Sequence, residues 1–357
     1  MRLIYPVAIF AAGIALAASL GLAQQASPAG PYQVLKKVKV GGEGGFDYIF
    51  ADVEGRRLYV PRSGPMGRLT VYGLDTLEPV GEIANVSCGG AIVDPVSHHG
   101  FSTTKPLSMW DTNTLTVIKT IEVQGRPDGM MFDPYNERVW VLSHVAPNAT
   151  VIDAKDGSVV ATVDLGGAPE QAVSDGKGTI YVNIEDKSNI AVVDAKTLKV
   201  TAHYDLSSQA TYATGLAFDA KNHILFSYLR QPTSVAVILN AEDGKIITTL
   251  PTGNGVDTVA FNPHTMEAIS TDGIGGSITV IKENSPTSFA VEQTLQTMRG
   301  ARTMALDTKT NRVLTMTGEF GPTPPPPDEV RAGQTPNLNA RNGPMIPGSF
   351  TLLMVGK

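Results

Sequence analysis

Gly129-Met-Met-Phe-Asp133, Pro134-Tyr-Asn-Glu137, Arg138-Val-Trp-Val-Leu142, then Ala149-Thr-Val-Ile-Asp153 and Ser158-Val-Val-Ala-Thr-Val-Asp-Leu165 form the stretch that decides the fold. An apolar run ends at an aspartate, and a proline presets φ for a tight turn. A second run follows at once, rich in the β-branched and aromatic residues that suit pleated, half-buried strands. Two more such runs complete a unit of four strands. The next segment repeats it with Gln171–Asp175, Thr179–Asn183, Ile190–Asp194 and Val200–Leu206.

Working outward, the same phrase recurs seven times. Its anchors are Asp52, Asp94, Asp133, Asp175, Asp219, Asn262 and Asp307, spaced 39–45 residues apart. A second marker, an apolar pair followed by Asp-Thr or Asp-Ala, falls at Asp75-Thr76, Asp111-Thr112, Asp153-Ala154 and Asp194-Ala195, with Asn240-Ala241 as a variant. Blade six departs from it, carrying Ile281-Lys282-Glu283. A period of ~40 residues built from strands is the signature of a β-propeller. The expected fold is all-β: a single seven-bladed propeller over residues 32–357. The chain ends in Phe350-Thr-Leu-Leu-Met-Val355, which matches a third strand, so the last blade lacks a fourth. Tyr32–Val40 has the form of that missing strand and is expected to close the ring, removing an open sheet edge. One unit is interrupted by residues 318–349, a long Pro-rich insertion containing Pro322-Thr-Pro-Pro-Pro-Pro327. It reads as a surface loop, a lid or a docking element.

Bulk properties narrow the functional classes. Net charge is −6, and the isoelectric point near 5.5 opposes a general affinity for nucleic acid. Residues 1–23 read as a secretory signal: Arg2, an apolar run, and the small-x-small site Gly21-Leu22-Ala23 before Gln24; the rival reading is an uncleaved membrane anchor, because the run approaches spanning length. Residues 24–31 read as a linker. The expected location is therefore periplasmic or secreted, as a monomer without a membrane span after cleavage. The one cysteine, Cys88, excludes an intramolecular disulfide and, with no paired His evident, reads as a buried apolar residue, with a nucleophile as the alternative. Cys-x-x-Cys-His, P-loop, Gly-x-Ser-x-Gly, zincin and dinucleotide fingerprints are all absent from the sequence.

The phrases Arg57-Leu-Tyr-Val60, Thr179-Ile-Tyr-Val-Asn183 and Val151-Ile-Asp-Ala154 resemble the YVTN-type β-propeller repeat, a WD40-like architecture, of secreted and periplasmic bacterial proteins of the YncE type. The resemblance implies a seven-bladed propeller. It also implies a spread of activities, with DNA binding in some members and lactonases and dehydrogenase subunits among related propellers. It carries over no catalytic residue.

The repeat itself points to a site. Counting five back from each anchor gives Asp47, Gly89, Asp128, Glu170, Thr214, Asp257 and Arg302, all expected at one mouth of the central channel. His144, between a second and a third strand, reaches the same mouth; Phe46, Tyr48 and Tyr212 fall near it. His98-His99, His223 and His264 fall in turns at the opposite end. Crowded carboxylates suit Ca2+ or another divalent cation, with Asp128, Glu170 and Asp257 as candidate ligands. One of them, held with a raised pKa, suits a general base. Arg302 suits an anionic group. An alternative is structural: the acids cap turns and Arg302 neutralises them. Three functions remain open: a module binding a small ligand or a protein partner, a metal-assisted lactonase-like hydrolase, and single-stranded DNA binding, which the acidic charge disfavours.

Overall fold

A computed structural model describes residues 30–144, 148–322 and 343–357. The signal segment, most of the linker and the Pro-rich centre of the 318–349 insertion lie outside the described residues. Seven sheets of four antiparallel strands form a ring, six of them in sequence order and the seventh completed by Gln33–Lys39. The expected architecture is thus found. The innermost strands are Phe50–Asp52, Ala91–Asp94, Pro127–Asp133, Pro169–Ser174, Thr211–Asp219, Val256–Asn262 and Met304–Asp307. Among the described residues the only helix is a 3-10 turn, Glu185–Lys187, and none is long and apolar enough to cross a membrane.

The anchors recur because each caps the same turn. An oxygen of Asp94, Asp133, Asp175, Asp219, Asn262 and Asp307 accepts the backbone N–H two residues on, at 2.7–3.2 Å. Asp52 accepts from Gly55, at 2.8 Å. The bond needs only an oxygen, so asparagine serves in blade six. The turn then passes through a left-handed residue, such as His98, Glu137, His223 or Met266, with φ between 53° and 60°. That residue's carbonyl accepts the N–H of the second marker's last residue: Thr112, Ala154 and Ala241, at 2.8–3.1 Å. Glu283 makes the same bond to Met266 at 2.9 Å, so the divergent Lys282-Glu283 of blade six keeps the geometry. The marker thus ties the third strand to the first turn through the backbone.

Packing lies between blades rather than in one central core. Seven apolar clusters each join two neighbouring sheets. Trp140 and Val151 of blade three, for example, pack with Ile180 and Val193 of blade four. Each blade is therefore stable only against its neighbours, and the ring must close.

Closure is made as expected. Gln33–Lys39 pairs antiparallel with Thr351–Gly356, giving the last blade its fourth strand. A polar lock reinforces the seam from blade six. Buried Glu267 accepts the Tyr32 hydroxyl and the Lys357 ammonium, both at 2.6 Å. Gln293 pairs with the Tyr32 backbone in both directions, at 2.9 Å each. Glu267→Ala leaves two donors without their acceptor and is expected to cost about 2–3 kcal/mol. Thermal unfolding checks this; deletion of residues 30–40 should expose the Thr351–Gly356 edge and cause aggregation visible by light scattering.

Candidate functional site

The propeller brings two rings of side chains to one mouth. The first is the set five residues before each anchor, at the start of the inner strands. The second is the set eleven residues after it, or ten in blade four, where each second strand ends. In blades three, four and five this gives His144, Glu185 and Arg230. The two rings converge on a cavity of about 1150 Å3, lined also by Phe46, Tyr48, Tyr212 and, from the flanks of the insertion, Phe320 and Met345.

The polar side chains form two groups. In the first, Asp257 sits between two guanidiniums. Its Oδ1 pairs with Arg230, and its Oδ2 lies 3.3 Å from Arg302 Nη1. Arg302 reaches on to Asp47 at 3.0 Å and donates to the Phe46 carbonyl at 3.0 Å. Arg230 lies 3.6 Å from Glu185 and donates to the Val256 carbonyl at 2.6 Å. Gly273 allows this arrangement, because a side chain there would collide with Arg302. In the second group His144 faces two acids. Its Nε2 is 3.3 Å from Glu170 Oε1 and 3.8 Å from Asp128 Oδ2. Neither contact has hydrogen-bond geometry, so Nε2 stays without a hydrogen-bond partner although water does not reach it. The Tyr48 hydroxyl donates to Glu170 Oε2 at 2.6 Å.

Five carboxylates thus meet two guanidiniums and one imidazole, a formal balance of −2 with the imidazole charged. Burial dominates their ionisation. It pushes Asp47 up to about 8 in spite of Arg302. It pushes Glu185 up to about 7, helped by the Glu170 charge, and raises Asp128 for the same two reasons. Burial opposes the charged form of His144, but Glu170 and then Asp128 outweigh it and raise the ring to about 9. Burial would raise Glu170 too, yet His144, Arg230 and Tyr48 hold it below its ordinary value.

The sequence-derived residues are placed as follows. Asp47, Asp128, Glu170, Asp257 and Arg302 line the mouth, as does His144. Thr214 does not: its buried hydroxyl turns into the wall and bonds the Val256 carbonyl at 3.1 Å. Gly89 leaves a gap beside Asp47 and Asp128. Of the three candidate metal ligands, Asp128 and Glu170 converge, with His144 as their third member; Asp257 is engaged by the arginines. The mouth acids accept no backbone N–H among the described residues; turn capping falls to the anchors and to second-marker residues such as Asp111, Asp153 and Asp194. Tyr48 is tied to Glu170, and Phe46 packs edge-on against Phe350 at 5.3 Å. Buried Cys88 has its thiol pushed up to about 12 by desolvation, which removes it as a nucleophile. Arg230 and Glu185 escaped the sequence reading; counting forward from the anchors, as well as back, finds both.

Neither a protein-family model nor a curated protein sequence matches the chain. Solved structures do. A chain of the Kuenenia stuttgartiensis hydrazine synthase superposes with a TM-score of 0.65 at 13% identity, covering 75% of this chain and 91% of that one. A chain of a mitotic checkpoint complex superposes at 0.68 and 10% identity, covering 87% and 95%. At such identities the likeness is one of fold. The class is set by that fold: a seven-bladed β-propeller with a charged, cavity-bearing mouth.

Two outcomes test this account. Asp257→Ala removes the shared partner of two largely buried guanidiniums and is expected to cost about 3 kcal/mol in chemical denaturation. The second concerns pH. The folded pKa values of Asp47 (about 8, from 3.8) and Glu185 (about 7, from 4.5) are raised, so the folded state holds protons that the unfolded chain has released. Stability therefore falls as pH rises through that window. His144, raised from 6.5 to about 9, acts with the same sign: its contribution is complete below 6.5 and lost above 9. Tm should drop steadily between pH 5.5 and 8.5, and Asp47→Asn should flatten the slope.

Proposed function

We propose that this chain is an extracytoplasmic propeller of the YVTN/YncE-like kind, acting as a binding module for a small polar ligand or a protein partner at the mouth. The observation that carries the reading is the cavity of about 1150 Å3 lined by Arg230 and Arg302, both held in place by Asp257. Fixed guanidiniums lose little entropy on binding, and their planar forks match carboxylate and phosphate groups. Asp128, Glu170 and Tyr48 in the same lining supply acceptors and an aromatic surface for the polar and cationic parts of such a ligand. The likeness to a chain of a multi-protein checkpoint assembly supports a partner-binding scaffold. The net charge of −6 argues against single-stranded DNA, whose extended phosphate backbone calls for many clustered Lys and Arg contacts.

A lactonase-like hydrolase is the second reading. What favours it is Asp128, a cavity-lining carboxylate with a raised pKa and so suited to abstract a proton.

The test is calorimetric titration of the full chain with a panel of small mono- and dicarboxylates, sugar phosphates and zwitterions, plus a lactone turnover assay. Saturable one-to-one binding, weakened about tenfold or more by Arg302→Gln, supports the binding module. Turnover abolished by Asp128→Asn transfers the conclusion to the hydrolase. Silence in both, with no protein captured by the mouth, sinks the reading.

A further inference from the structure

We propose that Asp128, His144 and Glu170 form a binding site for one divalent transition-metal ion of the Zn2+ or Mn2+ class. The proposal deepens the reading of the mouth above by naming the ligand class at its blade three–blade four junction.

The geometry is that of a nearly assembled three-ligand site. One donor atom from each residue lies within 4.8 Å of the other two. His144 Nε2 stands 3.3 Å from Glu170 Oε1 and 3.8 Å from Asp128 Oδ2. Ligands at about 2.1 Å from a tetrahedral zinc are separated from each other by about 3.4 Å. Small side-chain rotations therefore close the set around an ion.

A second observation points into the same space. His144 Nε2 is shielded from solvent and has no hydrogen-bond partner. A buried ring nitrogen left in this way loses its hydration without compensation. Here it faces two carboxylate oxygens at distances too long or too misaligned for hydrogen bonds, and a cation between the three would satisfy all of them.

The supporting shell is also present. Tyr48 donates to Glu170 Oε2, fixing the carboxylate while leaving Oε1 for the ion. Such outer partners orient metal ligands and tune affinity. Asp128 and Glu170 stand on inner strands of adjacent blades, and His144 directly follows the second strand Arg138–Ser143, so the scaffold is rigid. Gly89 opposite leaves room: an added Cβ there would come no closer than 4.0 Å to Asp128. An ion held by three protein ligands on the wall would keep an open position toward the cavity.

The donor set decides the class of ion. One imidazole with two carboxylates suits zinc, manganese or iron, whereas calcium and magnesium are served by oxygen alone. The Ca2+ expected from the acids gives way in this proposal to a softer ion once His144 takes the place of Asp257.

Chelator-treated full-length chain titrated calorimetrically with ZnCl2 or MnCl2 alone tests the proposal, with CoCl2 and visible absorption as a spectroscopic probe. Expected are one saturable site per chain, ligand-field bands for Co2+, loss of both in His144→Ala, and a fall of about 10–100-fold in affinity for Tyr48→Phe. His203→Ala, on the outer strand Lys199–Asp205 and outside the cavity lining, should bind as the parent does. Absence of a one-to-one site, or one that survives His144→Ala undiminished, overturns the proposal. Circular dichroism checks folding; should Glu170→Gln fail to fold, the part-exposed His144 decides alone. If metal fails but carboxylate or phosphate ligands still bind through Arg302, only the metal falls; if both fail, the mouth reading falls with it.

Discussion

A side-chain oxygen accepting a backbone N–H two or three residues on is the interaction on which this molecule depends. It is made at all seven anchors. Each such bond contributes only about 1 kcal/mol. Its larger effect is geometric: it fixes where one strand ends and the next begins, at one end of the ring. A strand rises about 3.3 Å per residue, so a position five residues upstream lies about 17 Å away, at the opposite mouth. The same turn sends the second strand back to that mouth. Two rings of side chains are thus delivered to a common cavity by one repeated cap.

The mouth spends stability to hold charge. Asp257 is nearly buried between two guanidiniums, and Asp47 and Glu185 are held away from their ordinary ionisation by loss of water. Buried ion pairs seldom stabilise a fold over apolar packing of equal volume. Seven inter-blade clusters supply the stability instead, which leaves the mouth able to carry a costly polar constellation. Perturbed groups gathered in a cavity are the physical mark of a functional site.

Most of the architecture was legible in the sequence, because propeller turns impose a local requirement repeated at a fixed period. The closure by Tyr32–Val40 followed from counting strands. The first ring of mouth residues was readable for the same reason. What escaped was whatever depends on side-chain direction across blades. Thr214 holds the expected ring position yet turns its hydroxyl to a carbonyl of the next blade. Asp257 lies on the ring but is drawn to Arg230, a residue of a neighbouring second strand that no inner-strand count could reveal. His144 was placed correctly at the mouth, while its convergence with Asp128 and Glu170 depends on where the loop leaves the sheet.

Closure of the last blade has a consequence for how the molecule is made. Gln33 pairs with Gly356, and Tyr32 meets Lys357 at the same buried glutamate. Among the described residues the first strand is therefore partnered by the last. Until they pair, the Gln33–Lys39 strand has no sheet to join, and blades one and six each present an uncovered apolar flank to solvent. Contacts this distant in sequence form slowly, and unpaired edges invite association with other chains. Until those two strands meet, the propeller is an open arc, and the step that completes the ring is the one that covers its last exposed edges.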